Sequence, residues 1–177
     1  MKTKLSWVIT ACLLCIAACA SEKSEVLTDT GIALVVSFDD ENYCVECLEL
    51  QEAGTQVSLT DLFASAGITI ATQDFGAGFG QAICGAGPND NELTGCDPAI
   101  EDCFCNSDYS WMVFERNNAT WTSSQEGISA MTVGGGEILG LRWTNFDPES
   151  YAALSKPHDF DFEQVCTKDQ LLARCTN

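Results

Sequence analysis

Hydrophobic positions alternate along residues 31–38, where Ile32, Leu34, Val36 and Phe38 share one face, and this period predicts a strand. Asp39, Asp40, Glu41 and Asn42 supply a polar turn, and residues 43–50 read as the returning strand. Ser58-Leu59-Thr60-Asp61 is a capping-box-like start, with the Asp61 carboxylate in place of the usual Glu or Gln. Leu59, Leu62, Phe63 and Ala66 follow on one face and Gly67 stops the run, so one short helix is predicted. Residues 68–72 and 81–84 read as short strands around a glycine-rich loop, Phe75-Gly76-Ala77-Gly78-Phe79-Gly80. The stretch 85–108 carries Cys96, Cys103 and Cys105, and a loop of that length needs covalent staples or a ligand to be ordered. Alternation resumes over residues 109–116, with Asn117-Asn118 as a turn. Residues 130–133, a turn at Gly134-Gly135-Gly136 and residues 137–143 predict a closing hairpin whose Leu139, Leu141 and Trp143 share a face. Thr167-Lys168-Asp169-Gln170 predicts a cap for a last helical turn over 171–175. This order predicts a single β-rich α+β domain with one short central helix and a disulfide-braced long loop.

The first residues read differently. Lys2 and Lys4 precede an apolar stretch, 5–18, with the length and charge order of a secretory signal. Its end, Ile16-Ala17-Ala18-Cys19, resembles the bacterial lipobox, which implies cleavage after Ala18 and lipidation of Cys19. On that reading residues 1–18 are a lipoprotein signal peptide and 19–30 a lipidated N-terminus and flexible tether. The domain would occupy 31–145 and a packed C-terminal extension 146–177. The expected location is extracytoplasmic, lipid-anchored to the cell envelope, and on the outer membrane if the cell has two, because no Asp follows Cys19.

Cysteine usage fits export. Of 11 cysteines, Cys12 and Cys15 leave with the signal and Cys19 takes lipid, so eight remain: Cys44, Cys47, Cys84, Cys96, Cys103, Cys105, Cys166 and Cys175. An even number in an exported chain is most simply a disulfide set, whose connectivity spacing alone leaves open. Cys44 and Cys47 match a redox motif formally, but at i and i+3 in a strand they project to opposite faces and must find partners elsewhere. Cys103 and Cys105 share a face, and with Cys84 and Cys96 form either two separate disulfides or a four-thiolate metal site. Cys166 and Cys175 can close a small loop.

Charge excludes one class of partner. Eight Lys and Arg against 26 Asp and Glu give a net charge of −18, which becomes −20 when Lys2 and Lys4 are removed, so phosphate backbones would repel the chain and nucleic acid is excluded. Membrane contact is left to the N-terminal lipid. Asn89, Asp90, Asn91, Glu92, Asp97, Glu101, Asp102 and Asp108 gather oxygen ligands in the cysteine loop, so calcium is a candidate, without EF-hand spacing. The Gly76-x-Gly78-x-Gly80 run lacks the spacing of a dinucleotide fingerprint and reads as a flexible turn. His158, the single histidine, reads as a solvent-exposed loop residue, and no catalytic group stands out. Trp111, Phe114, Trp121 and Trp143 read mainly as core, with any aromatic left at the rim near the glycine loop a platform for a planar ligand or a partner.

Several stretches carry a family resemblance: Leu34-Val35-Val36-Ser37-Phe38, Cys47-Leu48-Glu49-Leu50, Leu59-Thr60-Asp61-Leu62-Phe63, Gly80-Gln81-Ala82-Ile83-Cys84, Cys103-Phe104-Cys105, Ser110-Trp111 and the closing Gly140-Leu141-Arg142-Trp143. In this order they resemble the transcobalamin-like C-terminal domain family of small bacterial exported and lipid-anchored proteins. The resemblance implies a β-grasp-like fold and binding of a corrinoid or other small ligand. The expected function is a non-catalytic envelope lipoprotein that binds a small ligand or a partner envelope protein. The expected surface is formed by Phe75, Gly76, Gly78, Phe79, Gly80, Tyr109, Trp111, Trp121 and Trp143, with no cofactor or catalytic metal. A structural or adhesive surface module and an exported metal binder are the alternatives.

Overall fold

Residues Gly31–Ser37 are buried throughout, and this strand, β1, is the centre of the protein. A computed structural model describes residues 25–77, 80–88, 93–99, 101–168 and 174–176. The signal peptide, Cys19 and the first part of its tether, Gly78, Phe79, residues 89–92 and residues 169–173, which hold most of the expected last helical turn, lie outside the described residues. In chain order the other elements are β2 Tyr43–Glu49, β3 Gln56–Ser58, α1 Leu59–Ser65, β4 Thr69–Asp74, β5 Gln81–Gly87, β6 Thr94–Gly95 and β7 Tyr109–Asn117. They are followed by β8 Thr120–Ser123, β9 Thr132–Gly134, β10 Ile138–Asn145, α2 Phe162–Val165 and β11 Arg174–Thr176. A six-stranded sheet of order β11-β2-β1-β10-β7-β8 dominates, flanked by β3-β9 and β4-β5-β6. β1 runs parallel to β10, and the other ladders are antiparallel.

Alternation along β1 places Ile32, Leu34 and Val36 on one face with Leu139 and Leu141 of β10 and Val113 of β7. That face is covered by Leu59, Leu62 and Phe63 of α1, Ile83 of β5 and Val133 of β9. Ala33 and Val35 point the other way, onto Val165 and Cys166 in one cluster and Phe114 and Trp121 in another. β1 is thus apolar on both faces because both are covered, which explains the unbroken run that a half-buried strand would not carry. α1 begins as expected: Ser58 Oγ accepts the Asp61 N–H at 3.2 Å and donates to the Asp61 carboxylate at 2.7 Å. In the turn after β1, Asp39 accepts the N–H groups of Glu41 and Asn42, both at 2.7 Å. The hydrogen bond from the Asn42 side chain, followed by these backbone bonds, holds the Asp39 carboxyl below its ordinary value.

The predicted closing hairpin does not form. β9 pairs with β3, whereas β10 crosses into the middle of the large sheet beside β1. The glycine run serves this crossing: a Cβ on Gly135 would lie 2.0 Å from the Asp29 carbonyl oxygen, and the Gly136 N–H bonds the Gly31 carbonyl at 2.8 Å. Glycine here permits close approach of two backbones rather than a two-strand turn. The shared face of Leu139, Leu141 and Trp143 is as expected.

A second correction concerns the tail. Residues Arg174–Thr176 form a strand on the free edge of β2, and the helix lies earlier, at Phe162–Val165. Gln164 Oε1 accepts the Asp161 N–H at 2.7 Å, a cap that the sequence reading missed. The extension crosses the outer face of the sheet. Arg116, whose side chain is buried, reaches Asp159 at 2.8 Å and Asp161 at 3.2 Å, and Pro157 packs against the bare backbone of Gly140. His158 is not a free loop residue: it is half-buried, bonded to Ser37, and its ring lies 4.3 Å from that of Tyr43.

Among the described residues the disulfides include Cys47–Cys166, Cys84–Cys103 and Cys96–Cys105. Cys166 therefore does not close a small loop with Cys175 but ties the extension to β2. Cys44 is also disulfide-bonded, and the register sets Cys175 of β11 opposite it. Cys44 and Cys47 face opposite sides of the sheet, as the strand period requires, in two separate clusters.

Candidate functional site

One side of the domain is cleft. The end of β4 supplies Phe75, β5 supplies Gln81, Ala82 and Ile83, and β7 supplies Ser110 to Val113. The floor is completed by residues 124–128, and Phe104 and Tyr151 stand at the rim of a space of about 600 Å³. Such a size and apolar lining suit a small ligand or a peptide segment.

Local chemistry explains the placement of the rim. Cys84–Cys103 and Cys96–Cys105 pin the residues on either side of Phe104, so their sulfurs turn inward and the ring between them turns out. Trp111 Nε1 donates to the Thr94 carbonyl at 2.8 Å and fixes the same loop to β7. Phe75 follows β4 in a turn closed by Asp74 Oδ1 on the Gly76 N–H at 2.8 Å and by the Gly80 N–H on Gly76 O at 3.0 Å. The rings of Phe75 and Phe104 then meet at 5.4 Å. Tyr151 holds a left-handed backbone, φ 55°, a conformation that costs a non-glycine residue free energy and recurs at functional sites.

Exposure sets this cleft apart. Phe75 is 41% exposed, Phe104 57%, Tyr151 65% and the neighbouring Tyr109 40%. Large apolar side chains gathered around one concavity mark an interaction site, whereas the same residues scattered singly would not. Behind them the rings form a continuous stack. Tyr109 meets Trp143 at 5.9 Å, Trp143 meets Trp111 at 5.7 Å, and Phe38 meets Trp111 edge-on at 5.7 Å.

Of the residues expected at the surface, Phe75 and Trp111 line the cleft, Gly76 and Gly80 shape its Phe75 turn, and Tyr109 and Trp143 buttress it. Trp121 does not join them. Register sets it opposite Arg116, whose guanidinium lies 5.5 Å from its ring, on the opposite face of β7 from Trp111. Phe104 and Tyr151 were missed. An apolar residue held between two cysteines was the available signal for Phe104, whereas Tyr151 sits in a tail without periodicity.

Two further groupings of chemically capable side chains lie among the described residues. Sulfurs of Cys96 and Cys105 converge with the Glu101 carboxylate within 4.8 Å, but the two sulfurs are bonded to each other. The four cysteines of this region form two separate disulfides rather than a four-thiolate site. Asp97 and Glu101 are engaged in their own turn, Asp97 Oδ1 on the Ala99 N–H and Glu101 Oε1 on the Asp97 N–H. Ser37 and His158 resemble a nucleophile with its base, yet Ser37 is 0% exposed and no substrate can reach it.

Compared with protein-family models, with curated proteins and with solved structures, the chain matches none.

Proposed function

We propose that this is a non-catalytic binding module, a lipid-anchored exported protein of transcobalamin-like, β-grasp-like kinship. Its cleft takes a small planar ligand of the corrinoid kind or a segment of an envelope protein. The single observation that supports a binding role is the concentration of exposed aromatic rings around one cleft. Disulfides are consistent with an extracytoplasmic location. Among the described residues no helix is long and apolar enough to cross a membrane. The proposed attachment is lipid at Cys19, supported by the resemblance of Ile16-Ala17-Ala18-Cys19 to the lipobox.

Native mass spectrometry of the purified protein with and without added cobalamin, read alongside tryptophan fluorescence, tests the reading. A stoichiometric adduct that quenches the Trp111–Trp143 pair supports a small ligand. A bare protein whose fluorescence is unchanged by cobalamin, by aromatic small molecules and by peptides ends the binding proposal. Replacing Cys19 by Ser is expected to release the protein from membranes, and continued retention contradicts the anchor.

A further inference from the structure

The cleft contains more than side chains. β8 pairs with β7 only from Phe114 to Asn117, and the last contact beyond it is the Ser124 N–H on the Val113 carbonyl at 2.8 Å. After Ser124 the chain turns away through Gln125, Glu126 and Gly127 to Ile128, whose N–H bonds the Gln81 carbonyl at 2.9 Å. No described residue continues along the line of β8, and this gap along β7 opens into the cleft.

Antiparallel alternation fixes which backbone groups face it. A residue of such a strand directs its N–H and C=O to the same edge, and residues two apart share that edge. Val113 directs its carbonyl to the β8 side, so Trp111 presents both its N–H and its C=O there. Among the described residues neither Trp111 group, nor the Val113 N–H, has a hydrogen-bond partner. The open stretch ends at Tyr109, whose N–H is taken by Asn106 Oδ1 at 3.2 Å. An edge of this kind, beside pockets for side chains, is the layout of strand addition.

Resting on the cleft as the binding site, we infer that its occupant is an extended basic peptide segment of a partner protein, added to the β7 edge at Trp111. Main-chain bonds to Trp111 and Val113 supply the register. Alternate side chains of the peptide fall toward Phe75 and Phe104 on one side. The charge of the segment follows from complementarity. Among the described residues Glu126 is the one charged residue of the lining and has no ion-pair partner, and the whole chain carries −18.

The test uses the folded protein and three capped hexapeptide probes: alternating Lys and Val, the same with Glu for Lys, and the Lys peptide N-methylated at every second residue. With the Lys peptide, amide exchange at Trp111 and Val113 is expected to slow by about tenfold or more, while amides of β2 stay unchanged. N-methylation and the Glu peptide are each expected to abolish this. Glu126→Gln is expected to weaken the Lys peptide about threefold, with a shallower salt dependence. Exchange that is unaffected by the Lys peptide at millimolar concentration overturns the inference. So does N-methylated peptide binding equally well, or a dimer in sedimentation whose Trp111 amide is already protected. Cobalamin binding without any peptide effect also overturns strand addition while leaving the cleft's binding role in place.

Discussion

Ser37 and His158 meet at 2.8 Å across 121 positions of the chain. The buried Ser37 hydroxyl faces the imidazole Nδ1 and also accepts the His158 N–H at 3.1 Å, while Nε2 lies 3.1 Å from the Asp40 carbonyl. The tautomer with its proton on Nε2 satisfies all three contacts. This clamp closes the extension over β1. Ser37→Ala leaves two partly buried groups of His158 unpaired, and a loss of about 1–3 kcal/mol is expected in denaturant melts. Limited proteolysis is expected to cut first within residues 146–160.

The extension is also held covalently. Cys47 and Cys166 are separated by 119 positions, a loop long enough that the bridge removes about 4–5 kcal/mol of unfolded-state freedom. A double Cys47→Ser, Cys166→Ser variant is expected to lose most of that in chemical denaturation. Peptide mapping without reduction is expected to join Cys44 to Cys175, which the β2–β11 register sets opposite each other. A free thiol at Cys44 contradicts the mapping.

Between β7 and β8 the chain turns at Asn118 and Ala119 with φ 50° and 61°. Asn tolerates this region and glycine favours it, whereas alanine is strained. Ala119→Gly is expected to raise stability by about 1 kcal/mol, visible as a higher denaturation midpoint at unchanged slope.

Glu46 lies on the core face of β2, opposite Leu34, and burial pushes its carboxyl up from the ordinary 4.5. The folded state therefore holds a proton that the unfolded chain releases. Glu46's contribution is most favourable below 4.5 and is lost as pH rises through the raised folded value. Glu46→Gln is expected to be more stable than the parent at neutral pH. Melts from pH ~4 to ~8 should show the difference growing with pH and then levelling, and a constant difference contradicts it.

Phe104 separates function from stability. With more than half of its surface exposed, Phe104→Ser is expected to change stability by less than about 0.5 kcal/mol. The same variant is expected to weaken any ligand of the cleft about tenfold in titration, in keeping with loss of an aromatic anchor.

Local pattern made much of this legible. The alternation in β1, β2 and β7, the Ser58 cap and the opposite faces of Cys44 and Cys47 follow from neighbours in sequence. Pairing over long distances does not. Nothing near Ile138 signals that β10 will lie beside β1, because the glycines that let it cross carry meaning only once Asp29 is known to pass 2.0 Å from where a side chain would be. Trp121 failed for a similar reason: its face depends on register with Arg116, not on its own composition. Phe75 and Trp111 were recoverable as aromatics beside a loop, but Tyr151 reaches the same rim by folding back from a tail without pattern.

The parallel pairing of β1 with β10 also sets an order of assembly. β2 is made immediately after β1, but the other side of β1 stays open until Ile138–Asn145 has been synthesised. Any chain cut short before that point exposes a fully apolar strand edge and is a seed for aggregation. Cys166 comes later still, so its bond to Cys47 can serve as a chemical record that the sheet has closed.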